Sequence, residues 1–114
     1  QFKRVLAERC SVCDGNFRLH AAANQCGFAR LGISLGKLCG NAVVRNRLKR
    51  LFREAFRKNT GHISQNSDYL ITANRKSAEQ TGYSETLRNL SYSDIEDSLL
   101  KLINKIEKRG GNKS

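Results

Sequence analysis

Apolar and polar residues alternate with a period of two near the start of the chain, and this period predicts half-buried β-strands. In residues 16–23, Phe17 and Leu19 alternate with Arg18 and His20. Two other segments have the apolar, β-branched or aromatic composition of strands, residues 28–35 and 68–73. The chain is therefore expected to contain a β-sheet.

Residues 41–58 follow the 3.6-residue period of an amphipathic helix. At about 100° per residue from Arg45, apolar residues fall between about 240° and 340°, and polar ones between about 40° and 140°. The apolar side, expected to face the core, contains Val44, Leu48, Leu51, Phe52 and Ala55. The cationic side contains Arg45, Asn46, Lys49, Arg50, Arg53 and Arg57, with Arg47 on its flank.

Further helices are predicted at the two ends of the chain. Phe2, Val5 and Leu6 recur at helical spacing, so an opening helix is expected to end near Cys10. A closing helix is expected to begin at a capping box formed by Ser93 and Glu96. Its core positions are Ile95, Leu99, Leu102, Ile103 and Ile106. Residues 74–89 form a polar excursion with a helical turn near Ser84, and residues 109–114 are expected to be a disordered tail.

Length and charge narrow the class of protein. The 114 residues suit one domain. The 21 Lys and Arg residues exceed the 10 Asp and Glu residues by 11, so the expected partner is a polyanion. Residues 43–58 hold seven of these cations and one acid, Glu54. Neither a membrane-spanning run nor the apolar core of a signal peptide is found, and a cytoplasmic location is expected.

Hydrolytic chemistry is not expected from this chain. His20 and His62 have no accompanying carboxylate pattern, and neither a nucleophile elbow, a phosphate-binding loop nor a zinc-protease motif occurs. The cysteines are expected to be reduced thiols that bind no zinc, because only Cys10 and Cys13 have close ligand spacing, whereas Cys26 and Cys39 stand apart. We therefore expect no catalytic or metal-binding residues.

The cationic side of the helix indicates binding of a nucleic-acid backbone. Arg45, Lys49 and Arg53 recur every four residues, which places them about 6 Å apart along the helix, a spacing close to that of successive phosphates. A helix face exposed only to solvent ordinarily mixes charges to gain pairs four residues apart. The near absence of acids therefore favours an anionic ligand.

Residues 32–56, GISLGKLCGNAVVRNRLKRLFREAF, closely resemble the signature of the protein subunit of bacterial ribonuclease P. The matching residues are Gly32, Ser34, Lys37, Gly40 to Val43, Arg45 to Arg47, Lys49, Arg50 and Arg53. Residues 68–73 also resemble the family's following strand. Leu6, His20 and Leu38 depart from the residues common in the family. The substrate of this family, precursor tRNA, has a single-stranded 5′ leader, and stacking of that leader on the protein is therefore expected to rely more on Phe17 and His20.

The resemblance implies an α+β fold for residues 1–114, with N- and C-terminal helices. A mostly four-stranded sheet would pack with the basic central helix through a left-handed βαβ crossover. It also implies the function of a subunit in a ribonucleoprotein endonuclease. Such a protein binds the catalytic RNA and the 5′ leader of precursor tRNA, and it assists removal of the leader to give the mature 5′ end. The RNA performs the hydrolysis and is expected to bind most of the Mg²⁺.

The resemblance assigns residues to two surfaces. The residues expected to contact RNA are Lys37, Asn41, Arg45, Asn46, Arg47, Lys49, Arg50, Arg53 and Arg57. The residues expected to line the cleft for the leader are Phe2, Phe17 and His20. Because an aromatic residue on a strand can point either way, Phe17 could instead face the core.

Two other functions compete with this interpretation. A noncatalytic RNA-binding module of ribosomal or assembly-factor type would have the same charge, and only the Arg45-Asn46-Arg47 cluster with its preceding Gly-Asn-Ala-Val separates the two. A DNA-binding domain with the basic helix in a major groove is less favoured, because no helix-turn-helix partner precedes that helix.

Overall fold

The computed structural model describes residues 10–23, 27–63 and 67–111. Its strands are β1 (Cys10–Cys13), β2 (Phe17–Ala23), β3 (Arg30–Ser34) and β4 (Ser67–Ala73). Its α-helices are α1 (Ala42–Lys58), α2 (Arg75–Ala78), α3 (Tyr83–Arg88) and α4 (Tyr92–Gly111). Short 3₁₀ turns at Lys37–Cys39 and Thr60–His62 flank α1.

The four strands form one mixed sheet in the order β1-β2-β4-β3. β2 pairs with β1 and β4 in antiparallel register, whereas β3 and β4 are parallel neighbours. Parallel neighbours need a long crossover connection, and α1 supplies it. The α+β class and the βαβ unit are thus confirmed, and the left-handed sense of the crossover stays a prediction.

The sheet has an inner face covered by α1 and α4 and an opposite face, called the outer face below. Phe17, Leu19 and Ile71 are fully buried on the inner face, where Leu48 and Phe52 of α1 also lie. Strand alternation places the intervening residues on the outer face. The outer-face residues used below are Ser11, Cys13, Arg18, His20, Leu70 and Thr72, as the strand register requires.

The turn before α1 explains part of the Gly-Asn motif. Gly40 has φ +130°, and a Cβ there would lie 3.0 Å from the Val44 Cβ. Glycine alone fits this backbone without strain. Asn41 is the N-cap, and its side-chain oxygen accepts a hydrogen bond from the Val44 backbone N–H at 3.0 Å. The motif therefore starts the basic helix at a fixed residue.

The predicted strands and the two long helices are confirmed, but the chain ends and the excursion differ from expectation. Strand β1 was not predicted, because four residues are too few to show a period, and pairing with β2 stabilises it. The capping box of α4 is formed by Ser91 and Asp94, which corrects the predicted pair Ser93 and Glu96. These hydrogen bonds to Ser91 also lower the pKa of Asp94.

The predicted ends of the chain are only partly described. Helix α4 continues through residues 109–111, which corrects the first half of the predicted disordered tail. Residues 112–114 and the predicted opening helix lie outside the described residues.

The polar excursion is not a free loop but two short helices, α2 and α3, attached to the turn between β1 and β2. The Asn74 side-chain amide donates to the Asp14 carbonyl at 2.6 Å, and the Tyr83 hydroxyl donates to the Asn16 carbonyl at 2.6 Å. The Ser77 hydroxyl donates to the carbonyl of Gly15. These contacts join segments about sixty residues apart and hold the excursion against the sheet.

Candidate RNA interface

Three exposed arginines of α1 form one surface, called the cationic row below: Arg50, Arg53 and Arg57. They are spaced three and four residues apart, so their side chains are neighbours on one helix face. Asn46, one turn earlier, and Lys37, in the preceding 3₁₀ turn, are also exposed. Within the described residues, ion pairs join only Arg30 to Asp68 and Lys58 to Glu54. The charges of the cationic row are therefore available to a ligand.

The single acid of α1 forms its ion pair with a residue outside the cationic row. Glu54 lies on the same helix, but its carboxylate is 3.3 Å from the Lys58 ammonium, four residues further on. Like charges three or four residues apart, as in the cationic row, destabilise an isolated helix by about 0.2–0.5 kcal/mol per pair. An anionic ligand along the row would offset that cost.

Arg45 and Lys49 are half-buried, unlike the cationic row. The Arg45 Nε atom is buried without a hydrogen-bond partner in the part of the chain that the structure describes. Burial raises the pKa of the nearby Cys39 thiol, and the charge of Arg45 opposes that rise in small part. Of the predicted line Arg45, Lys49 and Arg53, only Arg53 is thus exposed. The other exposed arginines, Arg50 and Arg57, lie further round the helix.

Arg47 and Asn41 have roles within the chain, although both were predicted to contact RNA. The Arg47 guanidinium donates from Nη2 to the Leu90 carbonyl at 2.6 Å and from Nη1 to the Arg88 carbonyl at 3.5 Å. These carbonyls lie at the last residue of α3 and just after it, so Arg47 connects the excursion to α1. The side-chain oxygen of Asn41 is used as the helix cap. For these two residues the structure supports a positioning role.

We expect Arg47→Ala to lower the free energy of unfolding by about 1 kcal/mol, because a charged donor would be lost from two carbonyls. The melting temperature should fall by roughly 4–8 °C, whereas the salt dependence of RNA binding should keep its slope. Arg47→Lys should recover part of the stability. A shallower slope with an unchanged melting temperature would instead show that Arg47 contacts phosphate.

Phe17 is fully buried, which corrects its assignment to the leader cleft. Its ring lies 4.9 Å from the Phe52 ring, between centroids, at an interplanar angle of 89°. This edge-to-face contact joins β2 to α1 in the core. The alternative considered for this residue, packing in the core, is the one that the structure supports. Phe2 lies outside the described residues.

His20 lies on the outer face, the side of β2 opposite Phe17, and is half-buried. Its Nε2 is 3.3 Å from the Thr72 hydroxyl oxygen of β4. Leu70 of β4 is its direct cross-strand partner, and Ser11 of β1 is the partner on the other side. Of the residues predicted for the cleft, His20 is thus the one that the structure places on the outer face of the sheet.

A buried thiol and a buried phenol lie beneath the start of α1. Burial raises the pKa of the Cys39 thiol above its ordinary value of 9.0, against smaller opposing effects of Tyr83, the Gly36 backbone and Arg45. Burial and the neighbouring Cys39 raise the pKa of Tyr83 as well. Both groups therefore stay protonated in the folded protein at neutral pH.

The raised pKa values predict a loss of stability in alkali. The unfolded chain releases the Cys39 proton near its ordinary pKa of 9.0, while the folded chain keeps it. Stability from this group is present below pH 9.0 and falls as pH rises. Melts between about pH 8 and 10 should show a steeper decline for the wild type than for Cys39→Ala, with Cys13→Ala as the control. Equal declines in all three would contradict the assignment.

Candidate metal ligands are dispersed. Within the described ranges, no three His, Cys, Asp or Glu side chains lie together. Cys13 is exposed on β1, and Cys39 is buried in the 3₁₀ turn before α1. Folding without zinc stays a prediction. In the same part of the chain, no helix has the length and apolar composition needed to cross a membrane.

Comparison with known proteins identifies the family. Residues 1–107 match the family model described as Ribonuclease P. The ribonuclease P protein component of Streptococcus pneumoniae (strain Hungary19A-6) is 35% identical over 89 residues, which cover 78% of this chain and 72% of that protein.

Solved structures agree with the sequence matches. The RNase P protein from Thermotoga maritima superposes with a TM-score of 0.77 at 28% identity, covering 93% of this chain and 91% of that one. The Staphylococcus aureus RNase P protein has a TM-score of 0.69 at 28% identity, covering 90% and 85%. These matches favour the ribonuclease P interpretation over a ribosomal or assembly-factor module. The chain belongs to the ribonuclease P protein family, as the protein component of the bacterial ribonuclease P holoenzyme.

Proposed function

We propose that this chain binds the catalytic RNA of ribonuclease P through the cationic row and receives the 5′ leader of precursor tRNA on its outer face. The observation that carries the proposal is the exposure of Arg50, Arg53 and Arg57 without acidic partners in the described residues. Binding to phosphates would release condensed counterions from the RNA, and this release favours association.

The outer face suits a single strand better than a duplex. It is a sheet surface with a half-buried imidazole, His20, and a nearby guanidinium, Arg18. Unpaired bases stack on such planar groups, and their phosphates follow neighbouring cations. With Phe17 in the core, His20 is the leader contact that we propose on β2. Lys37, Asn46 and Lys49 are proposed as further contacts to RNA.

The chain is proposed to assist the reaction rather than to perform it. Its contribution is to bind and orient two RNAs whose backbones repel each other, which improves substrate affinity. The RNA subunit is proposed to bind most of the magnesium ions, which would lower the pKa of the attacking water and stabilise the developing charge. The single acid on α1, Glu54, forms an ion pair with Lys58 and is not proposed to take part in the hydrolysis. The proposed site of action is the cytoplasm.

Reconstitution tests this function. Leader removal from precursor tRNA should require the ribonuclease P RNA, and the protein should improve cleavage at low magnesium. The protein alone should be inactive. Leader removal by the purified protein after nuclease treatment that destroys contaminating RNA would contradict the proposal.

A further inference from the structure

A cationic pocket lies at the outer edge of the sheet, away from the cationic row. It is an open depression of about 440 Å³ between β1, β2 and the last turns of α4. Its lining residues are Ser11, Val12, Cys13, Arg18, Lys105 and Lys108. Helix α4 covers β1 and β2, whereas α1 packs against α4 and near β3. The pocket is therefore a separate feature from the surface of α1 described above.

The charged residues that the structure describes in the lining are all cations. Arg18 comes from β2, and Lys105 and Lys108 come from adjacent turns of α4. A concave site lined by one sign of charge concentrates the electrostatic potential and attracts counterions. Three cations around one cavity thus favour an anion.

Contacts at the rim hold two of the cations in place. The Arg18 Nη1 atom donates to the Ser11 hydroxyl at 3.5 Å, across the pair of strands. The Lys105 ammonium donates to the Cys13 carbonyl at 3.2 Å. An ammonium has three donors, so Lys105 has donors left for a ligand. Lys108 is exposed, one turn further along α4.

The pocket is continuous with the proposed leader surface. Ser11 is the register partner of His20, and Cys13 is the partner of Arg18, so these four residues share the outer face. A strand of RNA lying over His20 could therefore continue over β1 to the edge of the sheet and the lysines of α4.

We infer that this pocket binds a backbone phosphate of the single-stranded 5′ leader, upstream of the nucleotides that contact His20. The inference rests on the proposed function and extends it to a site formed by Arg18, Lys105 and Lys108. Affinity should then depend on leader length, because only a leader long enough to cross β1 reaches the pocket.

The test compares two charge-matched variants in the reconstituted holoenzyme. The pocket variant carries Lys105→Gln and Lys108→Gln, both at exposed positions. The control variant carries Lys76→Gln and Lys101→Gln, also exposed and outside the lining. Affinity is measured for precursor tRNAs whose leaders increase in length from a single nucleotide, each across a salt series. Melting temperatures confirm that both variants fold.

The pocket variant should lose roughly tenfold in affinity for long leaders near 0.15 M salt, with a slope of log K against log salt shallower by about 1.4. It should bind single-nucleotide leaders like the wild type. The control variant should show neither change. Arg18→Gln, which leaves α4 unchanged, should cause the same loss of affinity for long leaders.

Two outcomes would overturn the inference. One is equal loss for every leader length, together with weaker binding of the catalytic RNA alone, which would assign the phosphate to that RNA. The other is a pocket variant indistinguishable from the control. Failure of the proposed function itself is distinguishable, because the wild type would then show no preference for leader-bearing precursor at all.

Discussion

Phe17→Ala is expected to lower the free energy of unfolding by about 3–5 kcal/mol, the usual cost of removing a buried aromatic ring. Phe17 is fully buried and forms an edge-to-face pair with Phe52. The substitution would remove the buried ring and this pair together. Domains of this size are stable by about 5–15 kcal/mol, so the variant should melt on the order of 20 °C below the wild type. Thermal melting measures this directly.

Phe17→Leu provides the matched control. It keeps an apolar side chain in the core and should cost less than about 1.5 kcal/mol. Where both variants are folded, the ratio of affinities for precursor with and without a leader should equal that of the wild type. His20→Ala, in contrast, should change this ratio while melting near the wild type. A stable Phe17→Ala protein that has lost leader preference would contradict the core assignment.

Replacing Arg50, Arg53 and Arg57 together by Gln is expected to weaken binding of the catalytic RNA by roughly 50- to 150-fold near 0.15 M salt. Each lost phosphate contact contributes a factor of about four to five under these conditions. The three side chains are exposed and have no ion-pair partner among the described residues, so folding should not suffer. Removing like charges could even stabilise α1 by a few tenths of a kcal/mol.

The matched control removes three cations elsewhere. Arg75, Lys76 and Lys101 are exposed on α2 and α4, and their replacement by Gln gives the same net charge. If total charge alone governed binding, both triple variants would weaken it equally. A selective loss in the cationic-row variant would assign the contact to α1.

The faces of α1 could be predicted from sequence, because seventeen helical residues repeat their apolar positions often enough to define an axis. Leu48, Phe52 and Ala55 are buried as predicted, with Val44 and Leu51 packed at the margin. The exposure of the individual cations on the opposite side of α1 could be predicted less well. Arg45 lies near the edge of that side and is half-buried, with its charge close enough to the Cys39 thiol to affect it.

Long-range hydrogen bonds account for most of what sequence reasoning missed. Arg47 binds a backbone carbonyl 43 residues away, and a carbonyl leaves no pattern in the sequence. Strand β1 exists through its pairing with β2, not through its own composition. For Phe17, the alternation with Arg18 had already separated an apolar from a polar side of β2. The polar side, with His20, was the better choice for a ligand.

The central claim is that the cationic row forms direct contacts with the phosphates of the catalytic RNA. The salt dependence of RNA binding by the cationic-row variant, compared with the wild type, tests it most directly. Three lost contacts should make the slope of log K against log salt shallower by about 2–3. If the cationic-row variant and the control variant both kept the slope of the wild type, the account would be contradicted.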